Sequence, residues 1–152
     1  MLLFRAAVCA AAIMMSATIC VAASKTTPDE AKALTIEAAE HLGDKGVDAA
    51  RKTFYESGKF KHDDIYVSVI DLKGTWIIYP PKPALEGQSS ANIKDADGKM
   101  IGQELVKVAA GPGEGWVEYR WMNPESNKIE PKLAFVKRVP NQELFALVGV
   151  YK

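Results

Sequence analysis

Apolar positions change period several times along this chain, and each change marks an element. From Thr26 to Ser57 the period is helical. Thr27-Pro28-Asp29-Glu30 is a start signal: Thr27 can cap, Pro28 suits the first turn, and Glu30 can close a capping box. Ala31, Leu34, Ala38 and Leu42 then form one stripe, and Gly43 is the expected stop, with Gly46 close behind. A second helix follows, with Val47, Ala50 and Phe54 on one side and Gly58 at its end. At Ile65 the pattern changes to strand. Ile65–Asp71 and Thr75–Tyr79 flank a Lys73-Gly74 turn and read as a hairpin. Both faces of these strands are apolar, so the sheet should be covered on both sides. Strict alternation puts Trp76 and Ile78 on one side and Ile77 on the other, all largely buried.

Pro80-Pro81-Lys82-Pro83 ends pairing and opens a long polar loop reaching Lys94. Loops of that length in a compact domain are often binding elements. Asp95-Ala96-Asp97-Gly98-Lys99 resembles part of a calcium loop, with Glu104 in the last ligand position. The first ligand would be Ile93, which cannot coordinate, so this reads as a turn and cap before a helix at Met100–Ala110. Ile101, Leu105 and Val108 share a face of that helix. Gly111–Gly115 breaks it and leads into a strand, without the helix N-terminus of a phosphate cradle. Trp116–Met122 and Pro131–Val139 form a second hairpin around the turn Asn123–Lys128, and Leu144–Tyr151 is a last strand. Helices grouped around an antiparallel sheet make an α+β fold.

Composition narrows the class of function. The chain has 152 residues, with 48% hydrophobic and 25% charged positions, as in an ordinary globular domain. Lys and Arg number 19, as do Asp and Glu, so no basic surplus points to nucleic acid. Met1–Ala23 carries one charge, Arg5, then an uncharged Ala-rich run ending in Val21-Ala22-Ala23. This is a secretory signal peptide pattern, with the cut expected after Ala23 and a mature domain at residues 24–152. An uncleaved anchor is the alternative, since the run has about the minimum length to span a bilayer, near 18 residues. Lipid attachment at Cys20 is disfavoured by bulky Ile19 before it. Both cysteines, Cys9 and Cys20, fall inside the segment, so the mature chain has no disulfide and no thiol for catalysis. His41 and His62 lie in different elements without a second ligand at metal spacing, and read as solvated or hydrogen-bonded bystanders.

Candidate chemistry centres on the second hairpin. Tyr119 and Trp121 share a face of its first strand; Lys132, Ala134, Val136 and Arg138 share a face of its second. Two aromatics and a lysine brought together can hold a small anion. A half-buried hairpin with a solvated lysine fits the same residues.

From Tyr66 to Tyr151 the chain resembles a single Cache domain, the PAS-like extracellular sensor of bacterial chemoreceptors and sensor kinases. The matching pieces are Tyr66–Val69 with Asp71 and Gly74, then Pro80, Gly87, Lys94–Lys99, Gly115–Trp121, Asn123-Pro124, Pro131-Lys132, Val136–Val139 and Gly149–Tyr151. The resemblance implies an antiparallel sheet of about five strands. A long N-terminal helix would pack along it, and a shorter helix would lie between strands two and three. It also implies a small organic acid ligand, such as acetate, propionate, pyruvate or lactate, with no cofactor and no metal. Tyr66, Ser68, Tyr79, Tyr119, Trp121 and Lys132 are the expected ligand-binding residues. Relatives usually carry histidine before the proline of the second strand, where this chain has Tyr79. Nothing follows Lys152, so the resemblance implies a free-standing periplasmic or secreted sensor without its own transmitter. Such a sensor would signal through a membrane chemoreceptor or sensor kinase, with no stable membrane insertion after cleavage. A structural or interaction module of the cell envelope is the alternative. An enzyme fits less well, because no Ser/His/Asp or Cys/His set and no metal cluster is evident.

Overall fold

A computed structural model describes residues 26–123 and 126–152. The segment read as a signal peptide lies outside the described residues, as do Pro124 and Glu125 of the hairpin turn. Helix α1 (Pro28–Tyr55) begins as its capping signal directs. The Thr27 hydroxyl accepts from the Glu30 amide at 3.3 Å, and the Glu30 carboxylate accepts from the Thr27 amide at 2.7 Å. Ala31, Thr35, Ala38, Ala39 and Leu42 bury one face; Ala50 and Phe54 continue it. The expected stop at Gly43 is corrected to a break at Gly46, whose φ of 78° and ψ of 172° leave the helical region. Gly43 stays helical and serves close packing instead: a β-carbon there would lie 3.3 Å from a Val139 methyl.

Beyond α1, β1 (Lys61–His62) and β2 (Ile65–Tyr66) pair as a small separate ladder. The main sheet takes β3 (Ser68–Asp71), β4 (Trp76–Ile78), β5 (Glu114–Asn123), β6 (Lys128–Arg138) and β7 (Leu144–Tyr151). Its order is β4-β3-β7-β6-β5, antiparallel throughout, and α2 (Ile101–Ala110) enters between β4 and β5. This is the α+β arrangement read from the sequence. The β3–β4 turn is held by Asp71, whose Oδ1 accepts from the amides of Lys73 (3.0 Å) and Thr75 (2.7 Å).

Both faces of the sheet are covered, as the apolar strands require. On one side α1 packs over a core that includes Leu42, Phe54, Val67, Val69, Ile78 and Val148. On the other, α2 covers Ile70, Trp76, Leu105, Phe145 and Leu147. Trp76 and Ile78 therefore face opposite sides, against the alternation expected of them. The register explains it: Val69 faces Ile78 while the next residue, Ile70, faces Trp76, so Ile77 is one extra residue in β4. A bulge of this kind turns the side chains after it to the other face. Ile77 is half-buried and packs on the α1 side.

Three smaller readings resolve locally. Asp95 turns the chain before α2: its Oδ1 accepts from the amides of Asp97 and Lys99, and its Oδ2 from that of Arg120 at 3.1 Å. The capping half of that reading fails, because Met100 occupies the N-cap without a side-chain bond. On α2, Ile101, Leu105 and Ala109 are the buried stripe, and Val108 is only half-buried. His62 is exposed, with Nδ1 3.1 Å from the Gly58 carbonyl. His41 departs from expectation by packing between Phe54 and Phe60, each ring centroid 5.8 Å away, with Nε2 buried and unpartnered.

Candidate ligand pocket

The pocket begins with strand register. Lys132 on β6 stands opposite Tyr119 on β5 and opposite Tyr151 on β7. All three are on the face that α2 covers. Gly149 of β7 lies beside the lysine stem, where a β-carbon would fall 2.6 Å from Lys132 Cε. The missing side chain lets the stem lie across β7. Lys132 Nζ then donates to the Tyr66 hydroxyl at 3.2 Å. It also sits 4.9 Å from the Tyr66 ring centroid and 4.4 Å from that of Tyr151. The Tyr151 hydroxyl donates to the Met122 carbonyl at 2.8 Å, which fixes that ring's orientation.

Lys132 is 2% exposed. Burial lowers its pKa to about 8, and the Asp64 carboxylate offsets a part of that. It makes no ion pair among the described residues. Burial pushes the Tyr66 phenol up to about 12, and raises Tyr79, Tyr119 and Tyr151 as well. The phenols therefore remain protonated around a cation that has no ion-pair partner among the described residues.

Lys132, Tyr66, Tyr79 and Tyr119 line one cavity of about 250 Å³, with Tyr151 packed behind the lysine. All six residues expected from the sequence (Tyr66, Ser68, Tyr79, Tyr119, Trp121 and Lys132) are on its wall. Tyr119 meets Trp121 edge to face at 6.2 Å, and Tyr66 meets Tyr79 in the same way. Leu85, Ile93, Ile101, Leu105 and Leu147 supply apolar wall that the sequence reading missed, and so does Trp76. Lys82 and Lys132 are the charged residues of the wall; it contains no carboxylate.

The loop after β4 closes the cavity because its backbone is tied down. Glu86 accepts from the Tyr55 hydroxyl at 2.6 Å and from the Tyr79 amide at 2.7 Å, and it pairs with Arg51. Arg51 also donates to the Ile77 carbonyl at 2.7 Å. The loop is thus fastened to the part of α1 beyond the Gly46 break. At its other end the buried Ser90 hydroxyl donates to the Gly74 carbonyl at 2.8 Å. Residue 102 on α2 is necessarily glycine here, since a β-carbon would lie 2.0 Å from the Ser90 carbonyl oxygen.

Among the described residues, no group of three His, Cys, Asp or Glu side chains is placed to hold a metal ion. No helix of the described residues is long and apolar enough to cross a membrane.

Comparison with known proteins agrees with this architecture. Over 103 residues, 68% of this chain, it is 31% identical to the sensor histidine kinase MctS of Rhizobium johnstonii. Over 79 residues, 52% of this chain, it is 32% identical to the methyl-accepting chemotaxis protein McpP of Pseudomonas putida. The matched stretches span 21% and 14% of those two proteins. A solved periplasmic sensor domain of a chemotaxis protein superposes with a TM-score of 0.64 at 26% identity, covering 81% of this chain and 88% of that one. A Cache chemosensory domain whose structure was described for carboxylic acid recognition superposes at 0.62, also at 26% identity, covering 81% and 86%. The family model described as "Single Cache domain 2" matches residues 5–152, nearly the whole chain. The chain belongs to the single Cache domain 2 family, and its relatives include chemoreceptors and sensor kinases.

Proposed function

We propose that this domain is a periplasmic sensor of short-chain carboxylates that acts in chemoreceptor or sensor-kinase signalling. One observation carries the reading: Lys132 is a buried cation with no ion-pair partner among the described residues, on the wall of a small cavity rich in phenols. A buried charge is costly unless paired, and a carboxylate is the partner it lacks. Tyr66, Tyr79 and Tyr119 supply hydroxyl donors, Ser68 another, and Trp121 an aromatic wall. The cavity is below the usual range of about 300–1,000 Å³ for drug-sized ligands, so it suits a few heavy atoms. A similar solved domain is described for carboxylic acid recognition, and the two curated relatives are a chemoreceptor and a sensor kinase.

Thermal melting of the purified domain with acetate, propionate, pyruvate or lactate tests this. A ligand at about a hundred times its Kd adds about 2.7 kcal/mol by mass action, a shift of several degrees. No shift with any short acid overturns the reading and favours a structural module of the envelope. The export half of the proposal rests on Val21-Ala22-Ala23 after the apolar run. Mass spectrometry of the native protein should find a mature N-terminus at Ser24. Intact Met1 in the membrane fraction would show a retained anchor.

A further inference from the structure

Trp76 is 8% exposed, lines the ligand cavity, and holds an indole Nε1–H with no hydrogen-bond partner among the described residues. Three polar groups of the wall are already engaged. Lys132 donates to Tyr66, and the Ser90 hydroxyl donates to Gly74. The Tyr79 amide is bound by Glu86. An indole N–H can only donate, so its missing partner is an acceptor. Leaving such a donor buried and unmet costs more than the bond gains, which makes it a sharp discriminator between ligands.

An acceptor atom other than the carboxylate held by Lys132 can meet the indole N–H. Trp76 stacks on one side of Tyr79, with centroids 4.2 Å apart, and Tyr66 with its lysine packs against Tyr79 edge to face at 6.2 Å. Tyr79 thus touches both the indole and the ring that the lysine engages. Trp76 shares an apolar cluster with Ile101, Leu105 and Leu147 of the wall. A second carboxylate there would be desolvated against one neutral donor. An uncharged oxygen fits: a ketone or a hydroxyl.

We infer that the pocket selects oxo- or hydroxy-substituted short carboxylates over plain alkyl acids, and that Trp76 Nε1–H reads the extra oxygen. The inference rests on the carboxylate reading above and narrows it. Isothermal titration of the wild-type domain with pyruvate, lactate, 3-hydroxybutyrate, isobutyrate, butyrate and succinate separates the cases. At least one oxo- or hydroxy-acid should bind about tenfold or more tightly than its alkyl counterpart. Trp76→Phe keeps an aromatic ring and removes the donor. It should bring that ratio close to one. Wild-type protein also offers a direct readout. The Trp76 indole N–H resonance in an ¹⁵N-labelled sample should move downfield with the preferred acid and stay in place with isobutyrate. Equal affinity for alkyl and oxygenated acids, or a ratio that survives Trp76→Phe, overturns the inference and leaves the carboxylate reading standing. So does a resonance that stays in place with the preferred acid, or succinate as the tightest ligand. No binding of any of the six overturns both.

Discussion

Lys132→Met should make the ligand-free domain more stable and, at the same time, weaken its binding of carboxylates. The two effects have one cause. Folding takes the ammonium from water into a site that is 2% exposed, with no ion-pair partner among the described residues. Its pKa falls from the ordinary 10.5 to about 8 as a result. Each unit of such a shift corresponds to about 1.4 kcal/mol. The bond to Tyr66 and the two ring faces remain in the wild type and are lost in the variant. A net gain of about 1–3 kcal/mol on removing the charge is expected. The pH dependence has a fixed sign. Below about pH 8 the lysine is charged in both the folded and unfolded chains, and the penalty is complete. Between about 8 and 10.5 the folded protein has released the proton while the unfolded chain still holds it, so the penalty shrinks as pH rises. The advantage of Lys132→Met in calorimetry should therefore be greatest at neutral pH and fade through that window. Carboxylate binding should run the other way. It needs the charged lysine, so wild-type affinity should decline as pH rises past about 8. At neutral pH the variant should lose about 2–3 kcal/mol of binding, the scale of a charge-assisted hydrogen bond. A variant that melts like the wild type and binds acids equally well would mean that Lys132 faces water in solution.

Those opposite signs bear on what could be read before the structure. Strand alternation alone placed Tyr119 beside Trp121 and Lys132 beside Ala134, and the register bears this out. Whether Lys132 is buried was not legible in the hairpin. Its path depends on the missing side chain at Gly149 and its partner is Tyr66, both far away in sequence. Gly43 and Gly46 are equally good helix stops in a linear reading. The choice is made by Val139, against which Gly43 must pack, and by the backbone of Gly46. Leu85 and Ile93 lie in a stretch that reads as a polar loop. They line the cavity because Glu86 and Ser90 fold that loop back onto α1 and the β3–β4 turn. Trp76 was grouped with Ile78 as core by the rule of two, and the bulge at Ile77 separates them. Local periodicity carries the elements, in short, while the pocket is made by contacts between residues distant in the chain.

The bulge makes a second measurable claim. Ile78 is fully buried on the α1 side of the sheet, in one core with Val69, Phe54 and Val148. Ile78→Ala should cost about 2–5 kcal/mol, the sum of lost transfer energy and the cavity left behind. Ile77 is only half-buried and packs at the margin of the same core, so Ile77→Ala should cost distinctly less. Coupling tells the faces apart. Residues in contact show non-additive losses, commonly about 0.5–3 kcal/mol, whereas separated ones add. Ile78→Ala should be non-additive with Val69→Ala, its register partner. It should be nearly additive with Leu105→Ala, which lies on the pocket side. Denaturant unfolding of the single and double variants gives both numbers. A regular, unbulged strand predicts the reverse, with Ile78 sharing the face of Trp76 and coupling to Leu105. The same variant bears on the pocket: because Ile78 is on the side away from the cavity, carboxylate affinity in folded Ile78→Ala should match the wild type. A large loss of affinity in a folded Ile78→Ala protein would place residue 78 against the pocket and remove the bulge from the account.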